Sequence, residues 1–222
     1  MSGELHHKGR HASIARYYPE GTIIRLGLSS WCGAGGWRLG ALVFPDRLRV
    51  LLDATAAAAT EVVSSTATPI QHAAIAAFEG GAPIEDYLRL ARRVLRSVGR
   101  WCARRLRGVG VPCAQPVGGY TLLADFEPLR GALQARGVDS GPALCAALLR
   151  EAGVAMMPGV AFGRPVDELT ARLAYVDFDG GRALEAVGVI PVEQPLDEIF
   201  LERHCPRVVE GVRRVAGWVR GL

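Results

Sequence analysis

Lysine is nearly absent from this chain. Of its 222 residues 26 are Lys or Arg, and Lys8 is the only lysine among them. The formal net charge of +4 is therefore an arginine charge. Aromatic residues are also sparse, at 7%, and no basic run is interleaved with them, so a nucleic-acid partner is not expected. No apolar run approaches the roughly 18 residues that a membrane-spanning helix needs. The opening "MSGELHHKGRH" has no apolar core of a secretory leader. The five cysteines (Cys32, Cys102, Cys113, Cys145 and Cys205) are odd in number and contain no CxxC pair. Reduced thiols in a cytoplasmic protein are expected, with no disulfide framework. His6, His7 and His11 lie close together but lack a fourth ligand at zinc spacing, so no metal site is expected.

Half of the residues are apolar, enough for the core of one or two globular domains. "TIIRLGL" (22–28) reads as a short buried strand and "WRLGALVF" (37–44) as a second. The Ala-rich segment 46–65 reads as a helix. Thr68 followed by Pro69 reads as an N-cap and first helical residue opening the next one. Residues 83–108 predict a long helix with Leu88, Ala91, Val94, Leu95, Val98, Trp101 and Cys102 on one face. Eight arginines surround that face (Arg89, Arg92, Arg93, Arg96, Arg100, Arg104, Arg105 and Arg107) and read as a solvated surface. Beyond it, strands are expected at 118–126, 154–159 and 171–180, and helices at 141–153 and 205–222. The alternation argues for an α/β or α+β chain with a boundary near residue 109.

The segment "GLSSWCGAGGWRLG" (27–40) is a different kind of stretch. Glycines around a single arginine, between two strands, suit a loop built around an anion. A dinucleotide loop is excluded, because the third glycine of GxGxxG counted from Gly33 falls on Arg38. Cys32 is the best nucleophile in the loop, although a small packing role is the plainer reading.

On these residues the chain resembles the class I/II pyridoxal-phosphate (PLP) aminotransferases. Gly27, Leu28, Ser29, Gly33, Gly36, Arg38, Leu39 and Gly40 fit the family's cofactor-lysine segment, and Ser30 stands where that lysine belongs. The likeness continues through "ATPIQHAAIAAF", "PVGGYTLLADF" and "MMPGVAFGRPVDELTARLAYVDFDG". The resemblance implies that Arg38 holds the cofactor's phosphate, that Ser29 also binds the cofactor and that Arg172 holds a substrate carboxylate. It implies PLP as cofactor, yet serine cannot supply the imine nitrogen or the proton shuttle. Lys8 is a poor substitute in a polar segment.

The resemblance covers the C-terminal half of a typical member. It implies a remnant of the large domain over 1–68, linking helices over 69–108 and a small α+β domain over 109–222. Three readings follow: an aminotransferase relative without transaminase activity of its own, a PLP-independent enzyme acting on a carboxylated substrate, or one half of a split aminotransferase. A homodimer, or a partner chain supplying the missing half, is expected with any of them.

Overall fold

The computed structural model describes residues 5–7, 13–28, 32–63 and 65–222. They fall into two compact units, residues 1–89 and 90–222, and the division lies inside one helix. The content is mixed α/β. No helix among the described residues is long and apolar enough to cross a membrane.

In the first unit β1 (Ile24–Gly27) pairs antiparallel with β2 (Gly40–Val43), in the register Ile24↔Val43 to Gly27↔Gly40. The expected burial of the first strand is not seen: Ile24 is 39% exposed and Val43 48%. The cause is topological, since this sheet has two strands among the described residues and covers neither face of itself. One short helical turn (Asp46–Leu48) leads into α1 (Arg49–Val62), which is shorter than the expected 46–65 and buries none of its residues. Its alanines account for it through intrinsic propensity, while Val50 and Val62 face solvent. Next comes α2 (Thr68–Glu79). Ala67, not Thr68, is its N-cap, and no side chain caps it.

The long helix α3 (Ala82–Arg107) forms as its periodicity predicts. Leu88, Val94, Leu95, Val98, Trp101 and Cys102 are buried; Ala91 is half-buried. Its arginines are less free than a solvated face implies. Arg89 pairs with Asp86 at 3.2 Å, and Arg105 with Glu198 at 2.5 Å. Arg107 donates to Gln115 at 2.7 Å.

The second unit is organised on a three-stranded antiparallel sheet in the order β3 (Thr121–Asp125), β5 (Thr170–Ala174), β4 (Met157–Pro158). Leu122 lies opposite Leu173 and Ala124 opposite Ala171. These four are buried, as the two-residue alternation of a half-covered sheet requires. All three strands are shorter than expected. Short helices fill the connections: α4 (Arg130–Ala135), α5 (Gly141–Ala147, continued by a π turn to Ala152), α6 (Gly180–Gly188) and α7 (Glu198–His204). The last helix, α8 (Pro206–Arg220), buries Val208, Val209, Val212, Val215, Ala216 and Val219 at helical spacing. Gly99 of α3 admits the Tyr175 ring, because a Cβ there would lie 2.8 Å from the ring and its hydroxyl.

One side chain ties α6 and the following loop to α3. Arg93 donates to the carbonyls of Val187 (3.4 Å), Ile190 (2.7 Å), Pro191 (2.6 Å) and Gln194 (2.6 Å). Carbonyls at and beyond a helix C-terminus have no partner within the helix, and a planar guanidinium can serve several at once. Arg93→Ala is expected to destabilise the chain by about 1–3 kcal/mol in urea unfolding. Arg93→Lys should recover less than half of that loss, because an ammonium lacks the fork; full recovery would show that charge alone suffices.

Glu127 supplies a pH dependence. Arg130 binds its carboxylate through Nε (2.8 Å) and Nη2 (2.7 Å), and the Leu169 N–H donates to it at 2.8 Å. The Arg130 hydrogen bonds, then the Leu169 N–H, hold its pKa below the usual glutamate range. The folded state therefore binds this proton less readily than the unfolded chain does. The stability contributed is complete above the ordinary carboxylate range and is lost as pH falls through it. The wild-type advantage over Glu127→Gln should shrink between about pH 7 and about pH 3 in urea unfolding. An advantage equal at both values would refute the assignment.

Candidate functional site

The Gly-rich loop joins β1 to β2, and only part of it is described. Ser29, Ser30 and Trp31 lie outside the described residues, as do Lys8 and His11. Leu28, which precedes the loop, is fully buried, and its carbonyl accepts both the Cys32 N–H (3.2 Å) and the Cys32 thiol (3.1 Å). The thiol thus meets a backbone carbonyl. Gly33 follows in the left-handed region at φ 70°, where a Cβ would stand 3.1 Å from the Tyr87 hydroxyl. Burial, and next the proximity of Cys32, pushes the Tyr87 phenol pKa up. Tyr87 is a residue that the pattern along the chain did not mark. It sits in the first turns of α3, over fifty residues beyond the loop it meets, beside the buried Leu88.

Arg38 follows a short helical turn, Gly35–Trp37, and is exposed. Its backbone is left-handed, at φ 50° and ψ 33°, and it is the one non-glycine residue with positive φ among those described. An L-residue pays roughly 1 kcal/mol for that conformation. No carboxylate lies within ion-pair distance of its guanidinium among the described residues. The site thus presents a cation on a strained backbone, beside a loop of small residues.

Arg172 belongs to the second unit, at the centre of β5, opposite Leu123 of β3 and Met157 of β4. Its guanidinium lies 4.2 Å from the Phe162 ring centroid and 3.6 Å from the Met157 sulfur. Here too no carboxylate is within ion-pair distance among the described residues. An ion pair is the ordinary use of a half-buried arginine, and Arg172 shows none among the described residues. A half-buried guanidinium flanked by a ring and a thioether keeps its donors available to an outside anion while losing part of its hydration. Met157 and Phe162 complete this arrangement, and both lie in the segment "MMPGVAFGRP". Among the described residues no group of three or more His, Cys, Asp or Glu side chains is placed to hold a metal ion.

Comparison with known proteins gives a consistent picture. Residues 1–175 match the family model described as Aminotransferase class I and II. The aspartate aminotransferase of Geobacillus stearothermophilus is 30% identical over 185 residues, 79% of this chain and 44% of that protein. That of Bacillus subtilis is 27% identical over 201 residues, 88% of this chain and 46% of that protein. The crystal structure of the aspartate aminotransferase from Rhizobium meliloti superposes with a TM-score of 0.72 at 21% identity, covering 99% of this chain and 48% of that one. The chain thus spans about half the length of the curated relatives it matches.

If the left-handed backbone at Arg38 is strain without local compensation, Arg38→Gly should raise stability by up to about 1 kcal/mol. Amide exchange of the β1–β2 hairpin would report the change. Faster exchange in the variant would instead show that the guanidinium makes a stabilising contact.

Proposed function

The chain belongs to the class I and II aminotransferases, and from that premise we propose that it carries no transaminase activity by itself. One observation carries this reading. The position resembling the family's cofactor lysine is Ser30, and the sequence holds no other lysine than Lys8. PLP chemistry, where the cofactor is bound, depends on a primary amine that forms an imine and later moves a proton. A serine hydroxyl does neither. The donor set of this chain does not fit a covalently held PLP, so no step through the cofactor is assigned.

What the chain retains suits binding. In the proposed arrangement Arg38 and Ser29 keep an anion-holding loop, and Arg172 keeps a carboxylate clamp. The lack of a carboxylate beside either arginine among the described residues supports the assignment, since each has hydrogen-bond capacity left for a ligand. The same observation favours a second reading, a cofactor-independent protein that binds a carboxylated small molecule at Arg172.

The first unit bears on partners. Its two-stranded sheet and α1 leave Ile24, Leu42, Val43, Val50, Leu51 and Val62 exposed, more apolar surface than an isolated fold usually shows. We take these segments as the C-terminal remnant of a large cofactor-binding domain, with α3 as the interdomain helix and a small C-terminal domain after it. In that arrangement the apolar faces meet the part of the fold that the relatives' remaining length supplies, or a second copy of the chain.

The test adds PLP to the purified chain and to Ser30→Lys, and reads the imine absorbance band. Wild type is expected to show no such band and no amino-group transfer from aspartate, and Ser30→Lys to gain the band. Amino-group transfer by the wild-type chain alone would overturn the proposal.

A further inference from the structure

The second unit carries two adjoining grooves remote in sequence from the Gly-rich loop. The first, of about 240 Å³, runs between the segment after β5 and the α7–α8 corner. It is lined by Asp177, Asp179, Arg182, Arg203, His204 and Arg207. The second, of about 350 Å³, is lined chiefly by Ala186, Val189, Ile190, Ile199 and Phe200. Arg203 and His204 line both grooves, so a basic recess and an apolar recess meet at one pair of side chains.

The carboxylates at this junction are already engaged. Asp177 pairs with Arg207 at 2.9 Å. Asp179 pairs with Arg182 at 3.4 Å and caps α6 by accepting the Arg182 N–H at 3.1 Å. Asp197, on the rim of the apolar groove, caps α7 by accepting the Phe200 N–H at 2.8 Å. Arg203 is exposed and has no carboxylate within ion-pair distance among the described residues. The His204 ring packs on Phe200, with centroids 4.6 Å apart, and forms the shoulder between the grooves.

The apolar recess is held open from behind. Arg93 fixes the carbonyls of Ile190 and Pro191 at 2.7 and 2.6 Å, so the wall that Ile190 contributes is set before any ligand arrives. A preformed wall spares the ligand the cost of ordering it. Val189 and Ile199, 84% and 65% exposed, gain most from being covered.

We propose that the two grooves form one binding site for a small amphiphilic anion, an alkyl chain of medium length with a carboxylate or phosphate head. Arg203 meets the head at the junction, with Arg182 and Arg207 flanking it, and the chain lies along Val189, Ile190 and Ile199. The site is independent of the carboxylate clamp assigned to Arg172, and the two fail separately.

Calorimetric titration of the full chain tests it, with octanoate and octyl phosphate as the anions and octanamide and acetate as controls. At least one of the two anions is expected to bind at least tenfold more tightly than either control; the tighter of the two identifies the head. Arg203→Ala and Ile199→Asp, both at exposed positions, should each weaken that binding about tenfold with unchanged circular dichroism. Arg172→Ala should leave it unaltered. The proposal is overturned if neither anion binds, if octanamide binds as well as the anions, if Arg203→Ala has no effect, or if binding is lost with Arg172→Ala instead.

Discussion

The guanidinium of Arg93 is spent on main-chain carbonyls and not on a carboxylate, and much of the second unit follows from that choice. Helix α6 is only nine residues long, too short to be stable by propensity in water. It ends in a loop rich in proline, with Pro191 and Pro195 unable to donate hydrogen bonds. Carbonyls in such a loop need donors from elsewhere, and α3 supplies them through Arg93. The contact is economical because the helix that presents Arg93 is anchored by Val94, Val98 and Trp101 in the core. Each such side chain contributes about 1.5–3 kcal/mol by burial. The hydrogen bonds therefore have a fixed base from which to hold the loop.

The two units differ in what holds them. In the second, strand alternation and the helical stripes of α3 and α8 converge on one core, and Trp101, Phe126 and Tyr175 are almost wholly buried there. In the first, α1 is a helix because alanine favours helix, and no residue of it is buried. Local propensity and tertiary packing normally agree in a folded protein. Their separation in α1 marks a helix held by its own propensity and not by packing among the described residues.

Periodicity explains what could be read along the chain. The buried face of α3 was legible from Leu88 to Cys102 because a long amphipathic helix repeats its signal over several turns. Short elements do not repeat. Helices α6 and α7 begin at Asp179 and Asp197, both genuine N-caps, but nine and seven residues give too little pattern to outweigh the neighbouring strand signal in "ARLAYVDFDG". The apolar run of β1 was legible as a strand, and its burial was not, since burial depends on neighbouring strands that pattern alone cannot count. The bonds of Arg93 join residues about a hundred positions apart, to backbone atoms that carry no side-chain signature. For the same reason the meeting of Tyr87 with Gly33, and of Arg203 with two recesses, left no trace in the order of residues. Arg38 and Arg172 were found by likeness to a family; their lack of carboxylate partners is a property of the fold alone.

That lack bears on the proposed reading, in which a serine stands where the family's lysine belongs. Holding an anion and making an imine are separable tasks: the first needs donors at fixed positions, the second an amine of suitable basicity. In the proposed reading, serine at position 30 removes the second task and leaves the donors of the first. Had Arg172 served only stability, a carboxylate beside it would offset its partial desolvation, as Glu127 does for Arg130. Instead Arg38 stands on a left-handed backbone facing solvent, and Arg172 lies against Phe162 and Met157. In the proposed reading both leave donors for an outside anion, and binding without covalent chemistry is the function that reading assigns.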